Sequence, residues 1–220
     1  VRDSSASQAS LRLGYLLSQD DYGAAIELNH KVSTFPLPDL AVGRLVETPA
    51  EIIGMLDAYL STAAGVVDTP TASLVTGYDF LTDSAQAVQA AFEAGIGAAA
   101  DTLIAPANQS PADPDAWTAT DLRASLLSNR HDLIFLAGHF SAGSALAADY
   151  TTRLLASEVA SATVDLQNTI LFSAGCHSGY SLVNAHGIAG ISPQPDWAQA
   201  FARQRVTFIG GTGYQYGDTD

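Results

Sequence analysis

The residues most able to do covalent chemistry are Cys176, the one cysteine of the chain, and His139. Each closes a run of the same form. The first is Asp132-Leu-Ile-Phe-Leu-Ala-Gly-His139, and the second is Asn168-Thr-Ile-Leu-Phe-Ser-Ala-Gly-Cys176-His177-Ser178-Gly179. A thiolate attacks carbonyl carbon and an imidazole moves protons, so one of each on neighbouring elements is what nucleophilic cysteine catalysis needs. A free cysteine also serves as a small buried apolar residue. The Ala-Gly before Cys176, the His-Ser-Gly after it and the matching histidine favour the catalytic reading. Small residues from Ser173 to Gly175 would let a substrate backbone approach the thiol. The oxyanion formed on attack needs backbone donors, and the amides of Cys176 and Phe140 are the natural pair.

His139 is the expected general base. His177 competes, but adjacent residues of a strand point to opposite faces, so Cys176 and His177 would diverge. His30, His131 and His186 lack such context and are expected at the surface or in loops. Asp79, at the tip of an expected strand, is the candidate acid to orient the imidazole. Asp83 reads as a helix cap. Asp20 and Asp21 could instead bind a cation or line a pocket for a basic side chain.

These side chains need elements to hold them. Short runs of Ile, Leu and Phe read as strands buried on both faces of a parallel sheet. The reactive groups then stand at the carboxyl ends of strands, where open α/β sheets form their ligand crevice. Further strands are expected at Leu11 to Leu17, around Leu40 to Val42, at Thr71 to Tyr78, at Thr102 to Ala105 and from Val206. Thr48-Pro-Ala-Glu51 spells a helix start with a capping box, followed by Ile52, Ile53, Leu56, Tyr59 and Leu60 at helical spacing. Asp83-Ser-Ala-Gln86 spells a second box, opening a helix to about Ala100. Helices are also expected around Thr120 to Ser128, over Thr151 to Ala160 and over Asp196 to Arg203, with a helix or turn at Ser181 to Ala185. Residues 106–117 read as a loop, and Ser141-Ala-Gly-Ser-Ala as a mobile one. Alternating strands and helices imply an α/β fold: a mostly parallel sheet with helices on both faces. Residues 1–10 read as a mobile lead-in, and 11–220 as one domain. The ending, just past an expected strand, suggests that the polypeptide continues.

The chain has 220 residues, 47% of them apolar and 15% charged, enough for one large core. A net charge of −14 argues against nucleic acid and against an anionic membrane surface. No apolar run is long enough to span a bilayer. One cysteine excludes an intrachain disulfide and a cysteine-based zinc site. No metal or cofactor is expected. Gly210-Gly-Thr-Gly213 has no helix after it, and no phosphate loop or Gly-x-Ser-x-Gly elbow is present. An unrelated α/β hydrolase or transferase is the bland alternative.

The two runs resemble the caspase-like superfamily of cysteine peptidases, which includes caspases, legumain, clostripain, separase and the gingipains. Its hallmark is a hydrophobic strand ending in His-Gly, then a second ending in a small residue and Cys. His139 and Cys176 fit that pattern, 37 positions apart. The gingipain family is the most similar, through Pro38-Asp-Leu-Ala-Val-Gly-Arg-Leu45, the helix start at Thr48 and the closing Phe208-Ile-Gly-Gly-Thr-Gly-Tyr-Gln-Tyr-Gly217. CHAT-type caspase-like domains are the second choice, through the Leu154-Leu-Ala-Ser-Glu158 stretch between the sites. The resemblance implies a caspase-like fold and a secreted, bacterial-type endopeptidase acting on peptide or protein substrates. In it Cys176 attacks and His139 serves mainly the leaving group. The implied pocket is charged, and the acidic balance leans towards a basic side chain there. Two departures stand out: Phe140 where the family has Gly after the His, and Gly175 where Ala or Ser precedes the Cys. They imply an alternative, a caspase-like domain without catalysis that serves as a binding or scaffold module of a longer protein.

Overall fold

Five parallel strands carry the candidate site. The computed structural model describes residues 20–31, 33–63, 65–183 and 194–215. The expected lead-in at 1–10, the strand at Leu11 to Leu17 and His186 lie outside them. One turn of helix, α1 (Asp20–Gly23), precedes a hairpin of β1 (Ile26–His30) and β2 (Ser33–Leu37). Then come α2 (Pro49–Leu60), β3 (Ser73–Gly77), a 3-10 turn (Asp79–Leu81), α3 (Thr82–Ile96) and β4 (Asp101–Ile104). The second half holds α4 (Ala119–Ser128), β5 (Leu133–Gly138), β6 (Phe140–Ser141), β7 (Ser144–Leu146), β8 (Arg153–Leu155) and α5 (Ala156–Ala160). It closes with β9 (Ile170–Gly175), α6 (Trp197–Arg203) and β10 (Thr207–Gly210).

The main sheet runs β10-β9-β5-β3-β4, every pair parallel. The α/β fold with a mostly parallel sheet is therefore present. Its register lines up Leu74, Ile134, Leu171 and Phe208 across one face. These pack with Leu122 and Leu126 of α4, Val159 of α5, and Trp197 and Phe201 of α6. Removing this apolar surface from water is the main force holding the sheet to its helices. The next register row, Val75, Phe135, Phe172 and Ile209, lies on the other face. There α3 packs so closely on β3 that a Cβ on Gly77 would sit 2.5 Å from Ala85 Cβ. Phe172 and Ile209 remain exposed.

Local chemistry explains most boundaries. Thr48 caps α2 as its sequence spells, and Glu51 completes the box, with Thr48 N–H donating to Glu51 Oε2 at 2.9 Å. Burial pushes the Glu51 carboxyl up. The Thr48 amide, the Arg203 guanidinium and the Thr48 hydroxyl outweigh that and bring it down to about 2. Asp196 caps α6 with its Oδ1 accepting from Gln199 N–H at 2.8 Å.

Five expectations need correction. The strand near residue 40 lies earlier, at Ser33–Leu37, paired with the unforeseen Ile26–His30, and Leu40 to Val42 is irregular. The Asp20 to Gly23 stretch is a helical turn rather than a loop. The Asp83 capping box does not form, because α3 begins at Thr82 and Asp83 Oδ1 accepts from Ser84 N–H inside the first turn. Ser141 to Ala145 is a tight hairpin, held by Ser141 Oγ accepting from Ser144 N–H at 3.1 Å. Only the second half of Thr151 to Ala160 is helical. Arg153 and Leu155 are exposed around a buried Leu154, the alternation of a strand, and they pair with β7.

Candidate active site

The order of the strands makes the crevice. The chain passes from β3 to β4 through α3 on one face of the sheet. It then returns past β3 to β5 and leaves β5 towards β9 through the hairpin and α5 on the other face. Loops that part in opposite directions open a gap at the carboxyl ends of the strands, the switch point of a doubly wound sheet. Tyr78, Asp79 and Phe80 form one lip, and His139 stands on the other.

His139 lies among three aromatic rings. Its ring centroid is 5.3 Å from Tyr78, 5.2 Å from Phe80 and 5.4 Å from Tyr150. Tyr150 holds a left-handed backbone, φ 52°, uncommon for a bulky residue. Burial among these rings lowers the pKa of His139 below its ordinary value, and the charge of Asp79 partly restores it. A neutral imidazole that can take up a proton is therefore favoured at pH 7. Asp79 Oδ1 accepts from the Tyr150 hydroxyl at 3.2 Å. No hydrogen bond joins Asp79 to the imidazole among the described residues, so the expected orienting acid acts on His139 through its charge.

Cys176 follows β9 as His139 follows β5. The ladder pairs Gly138 with Gly175 as its last rung, so the imidazole and the thiol each stand one residue beyond a paired glycine on adjacent central strands. The phase of that ladder is set by Ile170 N–H donating to Asp132 O at 2.9 Å. It directs the even-numbered amides of β9, and that of Cys176 after them, towards β5. Cys176 is half-buried rather than sealed in the core. Its Sγ meets the backbone of Gln215, with Gln215 N–H donating at 3.4 Å and Gln215 O accepting at 3.5 Å. Among the described residues no hydrogen bond joins Sγ to the His139 imidazole.

Glycine is required at both paired positions. A Cβ at Gly138, φ 145°, would run into the Tyr78 ring, whose hydroxyl reaches over to Leu146 O. A Cβ at Gly175 would lie 2.6 Å from Phe140 Cβ and collide with the ring. The Phe140 ring lies against Gly175 and 5.8 Å from Trp197, on the side of the core. Trp197 in turn donates through Nε1 to Ser141 O at 2.9 Å. Leu146 N–H donates to His139 O at 2.9 Å, which makes Phe140 and Ala145 a non-hydrogen-bonded pair. The Phe140 N–H therefore points away from β7.

His177 is buried and turned inwards. Its backbone is left-handed, φ 56°, and its Nδ1 lies 3.0 Å from Thr212 O. His131 is buried as well, contrary to expectation, with Nε2 2.9 Å from Asp101 Oδ2. It lies at the amino ends of the strands, away from the crevice. Asp21 is exposed on α1. Among the described residues no group of three or more His, Cys, Asp and Glu side chains could hold a metal ion, and no helix is long and apolar enough to cross a membrane.

Sequence reasoning missed Phe80, Tyr150 and Gln215. Tyr-Asp-Phe after an apolar run could have signalled an aromatic lip. The contact between Gln215 and Cys176 spans 39 positions, beyond any spacing rule. No protein-family model, curated protein or solved structure matches the chain.

Proposed function

We propose that the chain is a cysteine endopeptidase of caspase-like type, related to the gingipains, that cleaves after a basic residue. The observation that carries this reading is the Gly138–Gly175 rung, with His139 and Cys176 one residue beyond it at a shared sheet edge. In the reaction the Cys176 thiol loses its proton through solvent to the neutral imidazole. Sulfur attacks the scissile carbonyl, and the oxyanion draws on the Phe140 and Cys176 amides. Collapse breaks the C–N bond as imidazolium gives its proton to the leaving amine, and water then releases the acyl group as a carboxylic acid. The Asp79 charge beside the aromatic lip supports a preference for a cationic side chain.

The test is reaction with arginyl and lysyl acyloxymethylketones. Loss of the carboxylate leaving group and a thioether at Cys176 are expected. No adduct across a broad panel of such probes would overturn the proposal.

A second reading has its own support: the chain is a caspase-like binding or scaffold module without catalysis. Phe140 stands where the superfamily has glycine, and among the described residues Sγ is engaged by Gln215 rather than by an imidazole. This reading expects intact Cys176 after exposure to every peptidyl probe.

A further inference from the structure

The run from Gly211 to Gln215, just after β10, is fastened along the turn that follows Cys176. Gly179 N–H donates to Gly211 O at 2.9 Å, and His177 N–H donates to Gly213 O at 2.8 Å. The His177 ring adds its contact with Thr212 O at 3.0 Å and stands edge-on to Tyr214, with centroids 4.5 Å apart. The Gln215 side chain is satisfied when its amide nitrogen donates to Ala174 O at 3.3 Å and its oxygen accepts from Gly211 N–H at 3.1 Å. Its two anchors are thus β9, two residues before the thiol, and the start of the run itself. The backbone of Gln215 presents its N–H and its C=O, from the two peptides that flank its Cα, to Cys176 Sγ at 3.4 and 3.5 Å.

We infer that Gly211 to Gln215 is an autoinhibitory strap, with the Gln215 peptide seated where a substrate peptide would meet the sulfur. The inference rests on the reading of Cys176 as a nucleophile. With the Gln215 N–H at 3.4 Å and the Gln215 C=O at 3.5 Å, the sulfur's hydrogen-bond contacts are made to the chain's own backbone. A peptide group beside the sulfur also excludes another from the same space. Substrate has to displace the Gln215 backbone, and the hydrogen bonds of the Gln215 side chain are what resist this. Cutting those anchors while leaving the nucleophile and the imidazole intact should speed the chemistry.

The experiment compares wild type, Gln215→Ala and Tyr214→Ala in two reactions, with circular dichroism to confirm that each variant is folded. One reaction is alkylation of Cys176 by iodoacetamide, and the other is inactivation by an arginyl acyloxymethylketone. Removing two hydrogen bonds predicts alkylation about tenfold faster in Gln215→Ala, with a smaller gain in Tyr214→Ala. Equal alkylation rates in folded wild type and folded Gln215→Ala would overturn the strap. If Gln215→Ala does not fold, the Tyr214→Ala rate decides alone, and no gain there overturns the strap equally. Faster alkylation without any peptidyl adduct would uphold the strap and overturn the peptidase reading instead.

Discussion

Replacing Gly175 by alanine should cost stability only while the Phe140 ring is present. The new methyl would lie 2.6 Å from Phe140 Cβ and closer to the ring, too near the root of that side chain for a rotation to relieve. Overpacking of this kind costs about 2 kcal/mol. Phe140→Gly alone empties the space between Gly175 and Trp197, Cβ included, and for a half-buried phenylalanine replaced by glycine the loss is about 3 kcal/mol. In the double variant the methyl introduced at position 175 enters that space. A glycine in a strand is itself worse than alanine by about 0.5–1 kcal/mol, so Gly175→Ala should become neutral or mildly stabilising there. The coupling between the two positions is therefore about 2 kcal/mol, well beyond the ~0.5 kcal/mol scatter of independent sites. Urea unfolding followed by tryptophan fluorescence measures all four corners, since Trp197 borders the site. Equal costs of Gly175→Ala with and without the ring would refute the reasoning. They would mean that Phe140 lies elsewhere, over the thiol, as in a site closed by its own side chain.

Two further outcomes follow from the charges. Burial pushes the Asp196 carboxyl up to about 6, while the Gln199 amide, the Ser181 hydroxyl, the Leu182 amide and Arg44 only partly oppose it. The folded state then holds a proton that the unfolded state has lost, so stability falls as pH rises from about 4 to about 6 and is flat above, by on the order of 3 kcal/mol. Asp196→Asn keeps an oxygen to cap α6 and should remove that slope in chemical denaturation across the window; an unchanged slope would assign it to other groups. For His139, the charge of Asp79 supplies the upward push, so Asp79→Asn should lower the imidazole pKa below its wild-type value. An NMR titration of the ring protons reads this, and an upward shift would contradict the assigned cause.

Much of this arrangement was legible in residue order, for physical reasons. The runs before His139 and Cys176 are apolar because β5 and β9 are inner strands of the sheet with one face sealed by α4, α5 and α6; the other face is only partly covered, and Phe172 on it is exposed. Thr48 with Glu51 reports the α2 start because that box closes within four residues. The Asp83 box failed although its spelling was equally good. The Thr82 hydroxyl donates to Ala105 O at 2.8 Å, with Asp79 O also in reach at 3.0 Å, which ties the chain into helix two residues earlier. The segment from Phe140 to Leu155 was misread for a different reason. Its strands are two or three residues long, too short for a period to show, and tertiary contacts such as Trp197 N–H to Ala142 O hold them. In the site, Cys176, His139 and Asp79 could be singled out by type and by position after a strand. The packing of rings around His139 and the Gln215 peptide on Sγ depend on how distant segments meet, which no local pattern encodes.

Digestion of a mixed peptide library tests the peptidase account most directly. New amino termini are identified by mass spectrometry for wild type, Gln215→Ala, His139→Ala and Cys176→Ala. The account predicts cleavage after basic residues by wild type and faster cleavage by Gln215→Ala. It also predicts a loss of about 10²- to 10⁴-fold in His139→Ala and none detectable in Cys176→Ala. Cleavage that survives in Cys176→Ala, or an intact library with both wild type and Gln215→Ala, would contradict it.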